Sequence, residues 1–227
     1  MSPEIERRAA VHAALGEPVR LAIVDELSSS DRAPSDLAAR FGLAGNLLAH
    51  HLDVLERVGL IDRVVSTGDR RRRYVRLRHR GVVDTRVSPA RRPGGRALFV
   101  CTHNSARSPL AAALWRERTG DRAASAGTRP AMRVHPGAMA AAKRAGLELP
   151  GADPRALGAG DLDADIVVTV CDRAHEELGA PGQWLHWSIP DPVDAGTRRA
   201  FDAAINEFDE RIAALAGPLP HPKESPP

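Results

Sequence analysis

One stretch near the middle of the chain limits its fold more than any other. The apolar run 97–100 ends at Cys101, and Arg107 follows six residues later. Residues from Pro109 to Trp115 then have a helical composition. A strand, a short loop and a helix in this order predict an anion-binding cradle, because loop N–H groups and the helix N-terminus converge on one point.

The residue types in this stretch indicate its chemistry. Cys101 should face a bound tetrahedral anion as a thiolate nucleophile, and Arg107 can clamp the anion through two parallel hydrogen bonds. This arrangement suits the transfer of phosphate or of an analogue such as arsenate. The predicted oxyanion-binding loop consists of Thr102, His103, Asn104, Ser105, Ala106 and Arg107.

The chain beyond residue 96 alternates apolar strands with helices. Further strands are expected at 122–128, 165–170 and 184–189, and further helices at 136–145 and 201–215. This order predicts an α/β doubly wound fold with a four-stranded parallel sheet, whose ligands bind at the carboxyl ends of the strands. Cys171 and Asp191 each come after a strand, so we expect both at the same edge of the sheet as Cys101.

The first part of the chain has a different pattern. Helices are predicted at 4–15, 18–27, 34–41 and 44–58, followed by strands at 61–66 and 73–77 with a turn at 67–70. This order predicts an α+β winged helix-turn-helix fold. Residues 1–95 carry 17 arginines against 12 acidic residues, a basic excess that favours a nucleic-acid partner.

Two segments of this first part resemble the ArsR-type repressor family. Leu43–Ile61 is similar to that family's recognition helix and its exit, and Glu17–Ile23 to its second helix. The resemblance implies a homodimer that places a helix in the major groove and reaches phosphates with its hairpin. The expected base readers are Asn46 and His50, and the expected phosphate contacts are Arg70, Arg71, Arg72 and Arg73.

No metal site is expected in this domain. The inducer-binding cysteines of the ArsR-type family are missing from Arg32–Leu37. His50 and His51 are adjacent, so on a helix they point about 100° apart and make a poor chelating pair.

The pattern Cys-x5-Arg-Ser after a strand, with Asp191-Pro192 downstream, resembles the low-molecular-weight protein tyrosine phosphatase superfamily. That superfamily includes thiol-dependent arsenate reductases, and Cys101–Ser108 looks like their version of the loop. The resemblance implies the low-molecular-weight phosphatase fold and a set of roles. These roles are nucleophile for Cys101, oxyanion clamp for Arg107, thiolate hydrogen-bond donor for Ser108, loop support for Asn104 and general acid for Asp191.

Departures from the family pattern bear on the substrate and the reductant. Cys171 stands where arsenate reductases carry a first resolving cysteine, but Leu178 replaces the next cysteine of the thioredoxin-coupled branch. Val193 follows Asp-Pro where tyrosine phosphatases usually carry an aromatic residue. A resolving role and a purely structural role for Cys171 both remain open. The pattern implies no bound cofactor and an external thiol reductant such as mycothiol, glutathione or a thioredoxin-type protein.

The sequence thus predicts a fusion of two domains. The expected division is a DNA-binding domain at 1–80, a linker at 81–95, a phosphatase or arsenate-reductase-like domain at 96–217 and a disordered tail at 218–227. No apolar run is long enough for a membrane span and no signal peptide is recognisable, so a cytoplasmic location without a membrane partner is expected.

Three functions remain in view. The favoured one is a DNA-binding transcriptional regulator fused to a cysteine-dependent arsenate reductase. The first alternative is a phosphatase that hydrolyses phosphomonoesters through a cysteinyl-phosphate. The second is a repressor whose other domain senses an oxyanion without turnover.

Overall fold

The computed structural model describes residues 2–78, 94–149 and 153–216. The predicted tail at 218–227 lies outside these ranges, as does the predicted linker apart from Gly94 and Gly95. Within the described ranges, no helix is long and apolar enough to cross a membrane.

The first part of the chain is a helix-turn-helix domain with a hairpin wing, as predicted. Its elements are α1 (Pro3–Leu15), α2 (Pro18–Ser29), α3 (Pro34–Phe41), α4 (Gly45–Arg57), β1 (Ile61–Val65) and β2 (Arg73–Leu77). A proline lies in the first turn of each of α1, α2 and α3, where its missing N–H costs nothing. The core is formed where α2 and α4 pack together, through side chains that include Ile23, Leu27, Leu52 and Leu55.

The second part is the predicted α/β fold. Its elements are β3 (Arg96–Cys101), α5 (Arg107–Thr119), β4 (Arg122–Gly127), α6 (Pro136–Arg144), β5 (Ile166–Thr169), α7 (Asp172–Leu178), β6 (Leu185–His186), α8 (Pro192–Ala195) and α9 (Arg198–Ala216). The four strands are parallel in the order β4-β3-β5-β6. Phe99, Trp115, Trp187 and Phe208 fill the main core on one face of this sheet.

The last strand is shorter than the predicted 184–189. β6 consists of Leu185 and His186, although the N–H of Trp187 still donates to the Thr169 carbonyl of β5 at 2.8 Å. The next N–H, that of Ser188, is engaged by the first domain. The Asp31 carboxylate accepts the N–H of Ser188 at 2.7 Å. A loop was predicted around Asp191, but the short helix α8 begins there. The Asp191 side chain caps this helix by accepting the N–H of Val193 at 3.0 Å.

Among the described residues, the first domain meets the second along the end of α2 and along the hairpin turn. The end of α2 packs on β6: the indole N–H of Trp187 donates to the Ser29 carbonyl at 2.9 Å, and the N–H of His186 donates to Ser30 Oγ at 2.9 Å. The hairpin turn lies on α7. The helix-turn-helix domain therefore contacts the edge strand β6 and the helix α7, which begins at the carboxyl end of β5.

Candidate active site

The sheet topology brings the two cysteines to one edge. β3 and β5 are neighbours, with Val100 opposite Thr169, so Cys101 and Cys171 follow adjacent strands at their carboxyl ends. Both thiols are free and buried, with 2% and 1% of the residue exposed. The predicted loop lies directly above them and leads into α5.

Hydrogen-bond donors surround the sulfur of Cys101. The N–H of Asn104 donates to Sγ at 3.2 Å, and Ser108 Oγ lies 3.1 Å from it. Ser108 Oγ itself accepts from Asn104 Nδ2 at 2.9 Å, and its proton can go either to the sulfur or to the Ala126 carbonyl at 3.4 Å. The sulfur of Cys101 thus lies at the start of the loop, next to a backbone N–H and a hydroxyl group.

Asn104 also shapes the loop. Its φ is +48°, the left-handed region that asparagine tolerates better than most side chains. Its Oδ1 accepts the N–H of Arg155 at 3.0 Å while its Nδ2 holds Ser108. The buried amide of Asn104 therefore connects the loop to α5 through Ser108 and to the segment between α6 and β5 through Arg155.

The carbonyl groups of the loop turn outward. Four of them accept N–H groups of the segment after β4 at 2.8–3.1 Å, in the pairs Cys101–Thr128, Thr102–Arg129, His103–Ala131 and Ser105–His135. This orientation leaves the N–H side of the loop for an anion, as in other anion-binding nests.

Arg107 and Asp191 face each other across the cradle. Arg107 is 6% exposed, donates to the Ile189 carbonyl at 3.1 Å and forms an ion pair with the Asp191 carboxylate. Burial lowers the pKa of Arg107, but the nearby negative charge, which includes that of Asp191, outweighs burial and raises the pKa overall. The guanidinium thus stays charged and could bind an anion at this position.

Cys171 is close to the cradle but has a structural contact of its own. Its sulfur lies 3.4 Å from Thr102 Oγ1 and accepts the N–H of Ala174 as the cap of α7. Burial raises the pKa of Cys171 despite the opposing charge of Arg107, which favours the thiol form. The contacts fit both roles considered for it, so the resolving role stays a prediction.

The cavity above the loop is small. About 100 Å³ is enclosed by Cys101, His103, Ser105, Ala106, Arg107, Asp191, Val193 and Asp194. Pockets for drug-sized ligands typically start at ~300 Å³. A second lobe of about 90 Å³ shares four of these residues and is also lined by Thr67, Thr102, Cys171 and Arg173.

The second lobe contains a residue that the sequence did not suggest. Thr67 belongs to the hairpin turn of the first domain, yet it lines the cleft beside Asp191 and Asp194. Only the hairpin turn itself could be recognised from the local sequence, since nothing there indicates what the turn packs against.

The predicted DNA-contacting residues are exposed. Asn46 and His50 project from α4, and the arginines Arg70, Arg71, Arg72 and Arg73 lie at the end of the hairpin. Asp53, an unfavourable charge for DNA, is paired with Arg63 of β1 at 2.6 Å. The described part of the molecule contains no cluster of three or more His, Cys, Asp or Glu that could hold a metal ion.

Comparison with known proteins gives matches for both parts. Residues 96–224 match the family model "low molecular weight phosphotyrosine protein phosphatase", and residues 15–64 match a helix-turn-helix domain model. The ArsR-type assignment remains a prediction.

Solved structures similar to this chain include three bacterial phosphatases. Tyrosine phosphatase AmsI of Erwinia amylovora is 22% identical over 53% of this chain and 90% of that one, with a TM-score of 0.48. Tyrosine phosphatase Wzb of Escherichia coli K30, in complex with sulphate, is 22% identical over 54% and 96%, with a TM-score of 0.49. The YwlE arginine phosphatase of Geobacillus stearothermophilus is 29% identical over 54% and 90%, with a TM-score of 0.46.

Proposed function

The chain belongs to the low molecular weight phosphotyrosine protein phosphatase family and carries a helix-turn-helix domain, and on this premise we propose that it is a DNA-binding regulator whose second domain reduces arsenate to arsenite with an external thiol. The observation that carries the choice of arsenate is the small cavity, walled by Val193 rather than by an aromatic side chain. It suits a free tetrahedral oxyanion better than a phosphorylated tyrosine.

The first step is attack on arsenic. An arsenate bound by the loop N–H groups takes over the guanidinium of Arg107, and the Cys101 thiolate attacks in line. A sulfur–arsenic bond forms, the bond from arsenic to a hydroxyl group of hydrogen arsenate breaks, and that hydroxyl group departs as water with one proton from the Asp191 carboxyl group. Release of Arg107 to the anion frees Asp191 to carry that proton.

The second step transfers the electrons. An external thiolate attacks the sulfur of Cys101, and the electron pair of the sulfur–arsenic bond moves to arsenic, reducing arsenic(V) to arsenic(III). Arsenite leaves, and Cys101 is left in a mixed disulfide. A second thiol restores the Cys101 thiolate and is oxidised with the first, so two thiols supply the two electrons.

Cys171 offers an internal route for the same electrons. Its thiolate can attack Cys101 in place of the external thiol and form a Cys101–Cys171 disulfide. An external reductant then reduces that disulfide. Both thiols lie at the same sheet edge, which supports this route.

The direct test measures arsenite formed from arsenate with mycothiol, glutathione or a thioredoxin system. Turnover should require Cys101 and be lost in Cys101→Ser. Cys171→Ser distinguishes the routes, because activity with a small thiol survives it only if the external thiol attacks Cys101 directly. Absence of arsenite with every reductant would contradict the proposal.

The alternative is phosphomonoester hydrolysis, which the Arg107–Asp191 pair also favours. Here Asp191 protonates the leaving alcohol and then activates water against the cysteinyl-phosphate. Hydrolysis of p-nitrophenyl phosphate that depends on both Cys101 and Asp191, with no arsenite formation, would select this function.

A third candidate is an oxyanion-sensing repressor without turnover. The position of Thr67 at the cleft favours it, since this residue belongs to the DNA-binding domain. In this case phosphate or arsenate should change the affinity for operator DNA while no product forms.

A further inference from the structure

The hairpin turn at residues 66–69, here called the wing turn, is held by the first carboxylate of α7. Asp172 Oδ2 accepts the N–H of Thr67 at 2.8 Å and its Oγ1 hydroxyl at 3.1 Å. Burial by itself would raise the pKa of Asp172, but hydrogen bonds from His186 and Thr67 have the larger effect and lower it overall. The carboxylate therefore stays ionised. A charged acceptor makes each of these bonds stronger than a neutral one.

A second carboxylate of α7 holds the other end of the turn. Glu176 accepts from Ser66 Oγ and from the N–H of Asp69, both at 2.7 Å, and from the hydroxyl of Tyr74 at 3.2 Å. The two carboxylates are four residues apart and therefore lie on one face of the helix. Between them they fix the whole turn on α7.

Gly68 permits the close approach. A Cβ atom at this position would lie 3.0 Å from the Cα of Arg173 and 2.3 Å from Glu176 Oε2. The first contact is with the backbone of the helix, so a side chain here would push the turn away from α7. The sequence of the turn is thus fitted to this docked position.

The docked turn forms a wall of the catalytic cleft. Thr67 lines the second lobe together with Arg173, and this lobe shares His103, Arg107, Asp191 and Asp194 with the cavity above Cys101. The four shared residues place Thr67 beside the part of the anion cavity that Asp191 and Asp194 line.

We propose that the wing turn completes the substrate site of the phosphatase domain and that Thr67 is a specificity-determining residue, which limits the group carried by a bound oxyanion to a small one. The inference rests on the proposed anion site at Cys101 and Arg107. It assigns the DNA-binding domain a direct part in choosing the substrate.

The test compares two probes that bind without reaction, inorganic phosphate and phenylphosphonate, by calorimetry on the full chain. Thr67→Gly should raise the affinity for phenylphosphonate relative to phosphate by about tenfold, the scale of a few methyl-sized contacts in a pocket. Thr67→Trp should lower the same ratio by at least about tenfold. The ratio of the two affinities, rather than the phosphate affinity alone, reports the space available beside Thr67.

Two controls separate size from docking. Thr67→Val removes the hydroxyl hydrogen bond to Asp172 but keeps the backbone N–H bond and the side-chain volume, so it should retain the wild-type ratio. Arg70→Gly and Arg70→Trp alter an exposed neighbour that does not line the cleft, and both should leave the ratio unchanged.

The outcomes distinguish the two proposals. Suppose that phosphate binds and that the ratio of phenylphosphonate to phosphate affinity is the same in Thr67→Gly, Thr67→Trp and the wild type. This result would overturn the role of Thr67 but leave the anion site standing. A ratio in Thr67→Val equal to that of Thr67→Gly would also overturn it, because docking rather than size would then decide. Failure of the wild type to bind phosphate at all would overturn the anion site itself and the proposed function with it.

Discussion

Asp31 and Arg211 form an ion pair that is buried between the two domains. The guanidinium nitrogens Nη1 and Nη2 lie 3.0 and 2.9 Å from the two carboxylate oxygens, and the side chains are 0% and 1% exposed. The partners stand 180 residues apart, and Arg211 also donates to Glu207 at 2.8 Å. The end of α2 is thereby fixed to α9.

Breaking this pair should destabilise the protein strongly. Asp31→Ala leaves Arg211 charged in the interior, and such a change typically costs about 3–5 kcal/mol. Chemical denaturation of the full chain measures the loss. The matched control is Asp209→Ala, which breaks the half-exposed pair with Arg118 and should cost less than about 1 kcal/mol. Equal effects of the two changes would contradict a structural role for the buried pair.

Gly68→Ala should detach the wing turn from α7. The added Cβ collides with the backbone at Arg173, and overpacking of this kind costs about 1–3 kcal/mol. Amide hydrogen exchange should become faster at Thr67 and Asp69, whose N–H groups are bonded to the carboxylates of α7. Gly160→Ala is the control, because a Cβ there meets nothing within 4 Å. Unchanged exchange in Gly68→Ala would argue against the docked turn.

Asn104→Ala should impair catalysis more than stability. It removes both side-chain hydrogen bonds and places alanine at a φ of +48°, so the loop and Ser108 shift relative to Cys101. Misplacement of catalytic groups by about 1 Å can cost about 100-fold in rate. Steady-state kinetics on arsenate or p-nitrophenyl phosphate gives kcat/KM. Asn104→Gly, which accepts the φ but lacks the amide, should lose less activity than Asn104→Ala if the backbone conformation contributes.

His175 should make stability depend on pH. Burial, with the charge of His186 whose ring stacks at 4.1 Å, lowers the pKa of His175 to about 3. The unfolded chain takes up this proton below pH ~6.5, whereas the folded protein does not until about pH 3, so stability falls as pH falls through this window. His175→Gln should reduce the slope of unfolding free energy between pH 6 and 4 by up to about 1.4 kcal/mol per pH unit. The exposed His12→Gln should leave that slope as it is.

The exposed arginines of the hairpin should determine the salt dependence of DNA binding. Replacing Arg72 with Ala should lower the slope of log affinity against log salt by about 1 if it neutralises one phosphate. Fluorescence anisotropy with labelled duplex DNA at several salt concentrations measures the slope. Arg118→Ala, on the other domain, is the control. A slope unchanged by Arg72→Ala would place the phosphate contacts elsewhere.

Local patterns were sufficient for most of the fold. Prolines at helix starts, apolar periodicity in α2 and α4, and apolar runs before Cys101 and Cys171 predicted both architectures, since each signal depends on neighbouring residues. Boundaries failed where a distant segment intervened. The strand predicted at 184–189 covers only Leu185 and His186 in the structure, and farther along, the N–H of Ser188 is bound by the Asp31 carboxylate instead of by a strand.

The sequence by itself determined the cradle. The spacing from Cys101 to Arg107 and the Asp-Pro beyond the last strand already predict that Cys101, Arg107 and Asp191 lie at one sheet edge. These features are encoded in short segments, where covalent geometry and hydrogen bonding act over a few residues.

Only the tertiary structure decided what stands over that cradle. Thr67 reaches the cleft through bonds to Asp172, 105 residues away, and Asp31 finds Arg211 across 180 residues. Such contacts depend on how two folded domains meet. The residues that supply the complementary charge and shape, and the glycine at position 68 that permits the close approach, lie in distant segments of the chain and form no local pattern. The loop from Cys101 to Arg107 therefore forms one part of the substrate site, and the hairpin turn of the first domain, packed against α7, forms the other.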